Sequence, residues 1–394
     1  MIELDVIEHA RDTLLGSENS FVCILALYML FSIRRLSTIT NRSKIMAIDS
    51  AVAKLLSLDP KQTTISSAGA GSSFASTSKI TTKLEDGTEK QFFMKTGSGN
   101  EASVMFEGNK LPTISPDSPA LNRKSGEHAS LSAIHNSVPS LCPQSYGHGK
   151  LADSPSTHFL VTDFVDLASR FSSSSSTSTP SLAAKLAKLH TTPAPPPPGE
   201  STPKFGFPVT TCCGETPQDN SFKSSWADFY AENRLLFILK RSEKTNGADA
   251  ELRSLVEDTC NRVVPRLLGD DHLNNGKGIT PVIVHGDLWS GNASLGKLPG
   301  MDAPENLVYD SSACYAHGEF ELGIMKMFGG FGASFLKEYH QMVPKTEPVE
   351  EYEDRVALYE LYHHLNHHAM FGGGYKGGAV SIMSRLIKKY GKDE

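Results

Sequence analysis

Between two short apolar runs the chain reads Val284-His285-Gly286-Asp287-Leu288-Trp289-Ser290-Gly291-Asn292, and eighteen residues after Asn292 comes Asp310, directly behind Leu307-Val308-Tyr309. No other stretch restricts the fold as tightly. An acid, an amide five positions on, and a second acid closing the next apolar run keep the order and spacing of a phosphoryl-transfer centre. That chemistry asks little covalent work of a protein and much positioning and charge neutralisation. Asp287 is therefore read as the base that orients and deprotonates an acceptor hydroxyl. Asn292 and Asp310 are read as hard oxygen ligands for Mg²⁺, which bridges phosphate oxygens. A loop between buried strands would also contain Asp and Asn, yet the runs 282–284 and 307–309 supply a strand, loop, strand frame that chance seldom provides.

Composition adds bounds. The 394 residues suffice for one bilobal enzyme, and 38 basic against 44 acidic residues give a formal charge of −6 without a sustained basic run, which argues against nucleic acid as a partner. The cysteines at 23, 142, 212, 213, 260 and 314 show no CxxC metal spacing, and adjacent Cys212-Cys213 suits no ordinary disulfide, so a reducing, cytoplasmic setting is expected. The apolar segment Phe21–Ile33 spans 13 residues before Arg34-Arg35, short for a membrane crossing and late for a signal peptide. Stable membrane insertion is not expected. Residues 1–45 are read as an extension outside the fold, with an organellar presequence as the alternative.

The small residues around Gly69-Ala70-Gly71-Ser72-Ser73-Phe74 suit a phosphate-covering loop, since Gly lets backbone N–H groups face phosphate, although a surface loop has the same composition. Strand-like runs 79–84 and 91–95 meet across Asp86-Gly87, a hairpin signal. Lys95 ends the second run, where a phosphate-binding lysine held by a glutamate from the next helix is expected. That helix is interrupted. Pro112, Pro116 and Pro119 forbid continuity, so 109–126 reads as an insertion, and Glu127 is the favoured Lys95 partner over Glu101 and Glu107. The buried strand 159–167 is the natural hinge, with the backbone at Asp163 to Val165 facing an adenine edge. The Ser-rich run 172–176 and the prolines 195–198 read as surface loops flanking a helix over 182–190.

Together with Met327-Phe328-Gly329-Gly330-Phe331, Leu365-Asn366-His367-His368, Phe92-Phe93-Met94-Lys95, Thr210-Thr211-Cys212-Cys213-Gly214 and His317-Gly318-Glu319-Phe320-Glu321-Leu322, these motifs make the chain resemble the fructosamine-3-kinase (ketosamine-3-kinase) family over roughly 46–389. The resemblance implies ATP- and Mg²⁺-dependent phosphorylation of the 3-hydroxyl of ribulosamine or fructosamine adducts on protein lysines or free amines, which promotes deglycation. It assigns Lys95 and Glu127 to phosphate positioning, Asp287 to base catalysis, and Asn292 with Asp310 to magnesium. Trp289 falls where the family keeps an aromatic residue near the sugar. His317, Glu319 and His367 are candidate substrate contacts; Glu319 or Glu321 could instead support the catalytic loop or face a cationic amine, and a solvated turn is an equal alternative for both. The family's Asp-Pro-Ala-Ser reads Asp310-Ser311-Ser312-Ala313 here, and its Tyr-Gly-His reads Tyr315-Ala316-His317; no charged catalytic group is lost.

The i, i+4 pair His364 and His368 suggests zinc, but without a third ligand the histidines of this helix read as packing or sugar contacts. Gly372 to Gly378 follow a helix and read as a turn. The expected architecture is α+β, protein-kinase-like and bilobal: a small antiparallel-sheet lobe over 46–160 and a larger, mainly helical lobe over 161–394. An aminoglycoside- or choline-type kinase, or a nucleotide-binding protein without transfer activity, are the alternatives. Oligomeric state is not readable from the sequence.

Overall fold

Asp49 caps the first helix, α1 (Ser50–Leu56): its carboxylate accepts the Ala51 N–H at 2.8 Å and also the N–H groups of Ala152 and Asp153. One short acid thus starts a helix and ties it to a distant turn. The computed structural model describes residues 47–69, 75–98, 126–167 and 179–391, all within the compact unit Met46–Glu394. Residues 1–45, Gly71, Ser72, Glu101, Glu107 and the Ser-rich run lie outside the described residues, as does the 109–126 insertion apart from Gly126.

Strands β1 (Thr63–Ser67), β2 (Ser76–Lys83), β3 (Glu89–Ser98), β4 (Ser145–Lys150) and β5 (Thr157–Asp163) form one antiparallel sheet in the order β1-β2-β3-β5-β4. The Asp86-Gly87 turn joins β2 and β3 as expected. Gly87 takes φ +81°, which a side chain would resist, and Asp86 accepts the Thr88 N–H at 2.9 Å. Both strands run further than the apolar pattern suggested, because cross-strand pairing carries polar Ser76 and Thr77 opposite Thr96 and Lys95. Alternate residues Ile80, Phe92, Met94 and Val161 point to one face and pack with Ile48 and Val52 into a small core.

Helix α2 (Gly126–Ser137) buries Ala129, Leu131 and Ile134 in the larger core shared with the helical part. Beyond β5, the two-residue strand β6 (Asp166–Leu167) pairs with β10 (Ala293–Lys297), which in turn pairs with β11 (Glu305–Val308). Helix α3 (Leu182–Thr191) carries Lys185, whose buried ammonium meets Glu305 at 2.6 Å and the carbonyls of Ser140 and Asn306. Prolines 195–198 lie outside any helix or strand, with Pro195, Pro196 and Pro198 exposed as expected of a surface loop; just before them Ala194 donates to Pro281 O at 2.8 Å, beside β9 (Val282–Val284). β9 pairs antiparallel with β12 (Cys314–Ala316).

The rest is helical. A hairpin of β7 (Cys212–Cys213) and β8 (Thr216–Pro217) precedes α4 (Trp226–Tyr230), which passes through a π-type stretch into α5 (Phe237–Asn246). The 20-residue α10 (Tyr352–Phe371) packs against α5, α8 (Glu321–Phe328) and α11 (Tyr375–Tyr390), while α6 (Ala250–Asp258) packs on α11, α7 (Val264–Leu268) on α4 and α9 (Ala333–Met342) on α3. The Gly372-Gly373 turn between α10 and α11 has positive φ, as its glycines suggest. Fully buried Trp226 anchors this part: its indole N–H donates to Tyr359 OH at 2.9 Å, and Phe229, Tyr230 and Phe320 close around it.

His317 and Glu319, expected at the substrate, belong to this interior instead. Glu319 takes two bonds from Arg355, at 2.8 and 3.1 Å, and one from the Thr346 N–H, while His317 bonds Tyr359 OH and Thr346 Oγ1 at 2.8 Å each. Buried charges need such partners, and here satisfying them consumes both side chains. Burial holds the His317 imidazole down at about 4 from an ordinary 6.5. The unfolded chain therefore takes up a proton between those values and the folded chain does not, so His317 contributes stability near neutral pH that is lost as pH falls from about 6.5 to 4. Urea unfolding across that range should show a slope that His317→Asn reduces by on the order of 2–3 kcal/mol in total. Equal slopes in the two proteins would remove this account.

Candidate active site

The loop after β9 is held by one carboxylate. Glu321, at the start of α8 and 1% exposed, accepts the Gly286 N–H at 3.0 Å on Oε1 and the His285 N–H on Oε2. Backbone donors that β9 leaves unpaired are thereby satisfied without water. Burial leaves the His285 ring neutral: Nε2 donates to Tyr309 O at 2.9 Å and Nδ1 accepts the Asp287 N–H at 3.3 Å. Gly286 has φ +81°, and a Cβ there would lie 2.2 Å from Ser312 O. Only glycine lets the loop pass β12 so closely.

These contacts aim Asp287 into a cleft of about 580 Å³ between the sheet and the helical part. Asn292 Nδ2 donates to Asp287 O at 2.9 Å, which locks the amide against the loop. The β10–β11 pairing sets Ala293 opposite Val308, and Tyr309 N donates to Asn292 O at 3.1 Å, so Asp310 emerges beside Asn292. Asp310 has φ +58°, an uncommon conformation for a non-glycine residue. Lys95 reaches in from β3, bonding Glu127 Oε1 at 2.8 Å and also Asp310. The helix therefore meets the lysine through Glu127.

Burial alone would depress the Lys95 ammonium, but the Glu127 and Asp310 charges outweigh it and hold its pKa above the ordinary value. Burial raises Glu127, with Asp310 adding repulsion and Lys95 opposing both. One cation shared by two acids accounts for both directions, and the lysine stays charged. Asp287 has no cationic partner among the described residues. Burial pushes its carboxyl up to about 8, with the charges of Asp310 and Glu321 adding to the shift. Its side-chain neighbour is Cys213, with Sγ 3.7 Å from Oδ1.

Asn292 and Asp310 present oxygen donors at one end of the cleft. Among the described residues no group of three His, Cys, Asp or Glu side chains could hold a metal by itself. Such a donor pair suits a hard cation whose shell is completed by phosphates and water, as Mg²⁺ prefers. Gly69 lies near the cleft edge with φ +121° and open space about its Cα, and its neighbour Ala68 lines the cleft. Val165 lines it too, but the Asp163 N–H is spent on Gln144 O at 2.9 Å, and its carboxylate takes Gln144 N–H and Tyr146 OH. The Asp163 carbonyl in turn accepts the Thr162 hydroxyl at 3.0 Å.

Trp289 also lines the cleft, and its ring lies 5.8 Å from that of Phe328. Phe328 in turn meets His367 edge-on at 5.0 Å. Sequence reasoning gave no role to Cys213 or Glu215, which reach the site from the β7–β8 hairpin; only its Cys-Cys-Gly run hinted at them, because the contact to Asp287 spans 74 positions. Gly286→Ala should lower unfolding stability by about 1–3 kcal/mol, through positive φ and the close carbonyl. An unchanged denaturation midpoint would contradict the packing described.

Comparison with known proteins agrees with this geometry. The sequence profile described as Fructosamine kinase matches residues 74–389. Mouse ketosamine-3-kinase is 39% identical over 185 residues, 47% of this chain and 54% of the mouse protein, so the match spans about half of that relative. The chloroplastic protein-ribulosamine 3-kinase of Arabidopsis thaliana is 32% identical over 263 residues, 67% of this chain and 72% of that protein. A crystal structure assigned to a fructosamine-3-kinase of Haemophilus somnus has a TM-score of 0.59 at 18% identity, covering 86% of this chain and 97% of that one, which shows a shared fold. The chain belongs to the fructosamine kinase family.

Proposed function

We propose that the protein transfers the γ-phosphoryl group of ATP to the 3-hydroxyl of ketosamines, the ribulosamine or fructosamine adducts on protein lysines or free amines. The observation that carries this reading is the convergence of Lys95, Asp287, Asn292 and Asp310, from three separate stretches of chain, on one cleft. The named relatives act on ketosamines and protein ribulosamines, which supplies the acceptor class. Cleft charge fits that class. Among the described lining residues, Glu127, Asp163, Glu215, Asp287 and Asp310 face a single cation, Lys95, an excess that suits both a divalent ion and an acceptor with a protonated amine.

Each group then has a task. Lys95, oriented by Glu127, would meet the nucleotide phosphates, and Asn292 with Asp310 would hold Mg²⁺. The ion, when bound, neutralises charge at the phosphates. Asp287 takes the acceptor proton as the hydroxyl oxygen forms its bond to phosphorus and the bond to the ADP oxygen breaks. A carboxylate raised toward neutrality is a better proton acceptor than an exposed one. Trp289 offers a flat apolar face to the sugar. The alternative of nucleotide binding without transfer rests on the insertion or residues 1–45 preventing lobe closure; the 2.8 Å contact of Glu127 with Lys95 supports the transfer reading.

The free cysteines 142, 212, 213, 260 and 314 fit a reducing compartment, and no helix among the described residues is long and apolar enough to cross a membrane. The cytoplasm is the setting we favour.

Purified protein given ATP, Mg²⁺ and ribulosyl- or fructosyl-lysine should yield a 3-phosphate, read by NMR. Transfer only to choline or an aminoglycoside, assayed in parallel, would defeat the proposal. Asp287→Asn should lower kcat by about 10²- to 10⁴-fold with a native melting profile. In the nucleotide-free protein the Asp287 carboxyl should titrate near 8, followed by carbon NMR against that variant, and be protonated below this pH. A titration in the ordinary carboxylate range would show that burial is not the controlling influence.

A further inference from the structure

The acceptor end of the cleft continues into a strip of aromatic rings that the transfer chemistry does not use. Trp289 stands at the mouth, Phe328 follows at 5.8 Å and His367 at 5.0 Å beyond it, and His367 then lies 5.8 Å from Phe371 and 5.1 Å from Tyr375. Phe371 is 65% exposed, the most of any large hydrophobic side chain among the described residues, at the last position of α10. An apolar ring left in water beside a binding cleft calls for an explanation that a lone surface leucine does not.

We infer that the strip is a docking surface for the polypeptide that flanks a ketosamine-bearing lysine. This rests on the function proposed above. A ketosamine on a free amino acid ends with its own stem and leaves Phe371 and Tyr375 nothing to touch. A ketosamine on a protein continues past that stem, and the neighbouring side chains fall where the outer rings are. The charges agree. The acceptor's secondary ammonium meets the face of Trp289 and the acidic cleft rim, which a cation favours. Burial keeps His367 largely neutral, so it does not repel the ammonium. Lys376, the cation nearest the strip in sequence, is already held by Asp249 at 2.5 Å.

The test compares ribulosyl-lysine as the free amino acid with a short peptide carrying one ribulosylated lysine between leucine and phenylalanine. Phe371→Ala should raise KM for the peptide about five- to tenfold at unchanged kcat, leave the free amino acid untouched, and be rescued by Phe371→Trp. Because Phe371 is exposed, the substitution does not threaten the fold. Equal KM values for peptide with native and substituted protein overturn the inference while the ketosamine kinase reading stands. Failure of the native protein to phosphorylate either acceptor defeats that reading instead. If sedimentation shows that Phe371→Ala dissociates a dimer with peptide KM unchanged, the strip is a subunit contact and the inference falls.

Discussion

Lys95 is the point through which the two parts of this molecule communicate. Its ammonium joins β3 of the sheet to Glu127 on α2 and to Asp310 at the end of β11, three elements far apart in sequence. The arrangement is stable because two carboxylates share one cation in a partly dry site, where each charge would be costly alone. It also stands ready for a substrate, since a polyanion and its counter-ion can replace one acid without leaving the lysine bare.

Glu321 does for the loop what Lys95 does for the lobes. By accepting two consecutive backbone N–H groups it sets the course of the chain at His285 and Gly286, and hence the direction of Asp287. The two acids differ in environment rather than in type. Glu321 is pulled down by hydrogen bonds and neighbouring histidines against its burial, whereas Asp287 is pushed up because its burial and the like charges of Asp310 and Glu321 outweigh the hydrogen bonds from the Cys213 thiol and the Gly214 backbone. Similar residues within one buried region thus become a fixed anchor and a carboxyl raised toward neutrality.

Much of this was legible beforehand, and for a local reason. Asp287, Asn292 and Asp310 lie within 24 positions, so their grouping is written in spacing, and the Asp86-Gly87 hairpin that places Lys95 is written in turn chemistry. His317 and Glu319 were misread as substrate contacts because their true partners, Tyr359, Arg355 and Thr346, come from sequence 27 to 42 positions away. Short-range pattern shows that a charged residue sits near a motif. It does not show which way the side chain turns.

By itself, then, the sequence determined the α+β architecture and the grouping of Asp287, Asn292 and Asp310, the proposed transferring and metal-binding residues, since these depend on residue type, period and spacing. Only the tertiary structure decided that Glu127 meets Lys95, that Cys213 lies against Asp287, and that a row of rings leads from Trp289 to Phe371. The reason is physical. Desolvation and contact depend on what folds in from elsewhere in the chain, and those neighbours leave no trace in the spacing around any single motif.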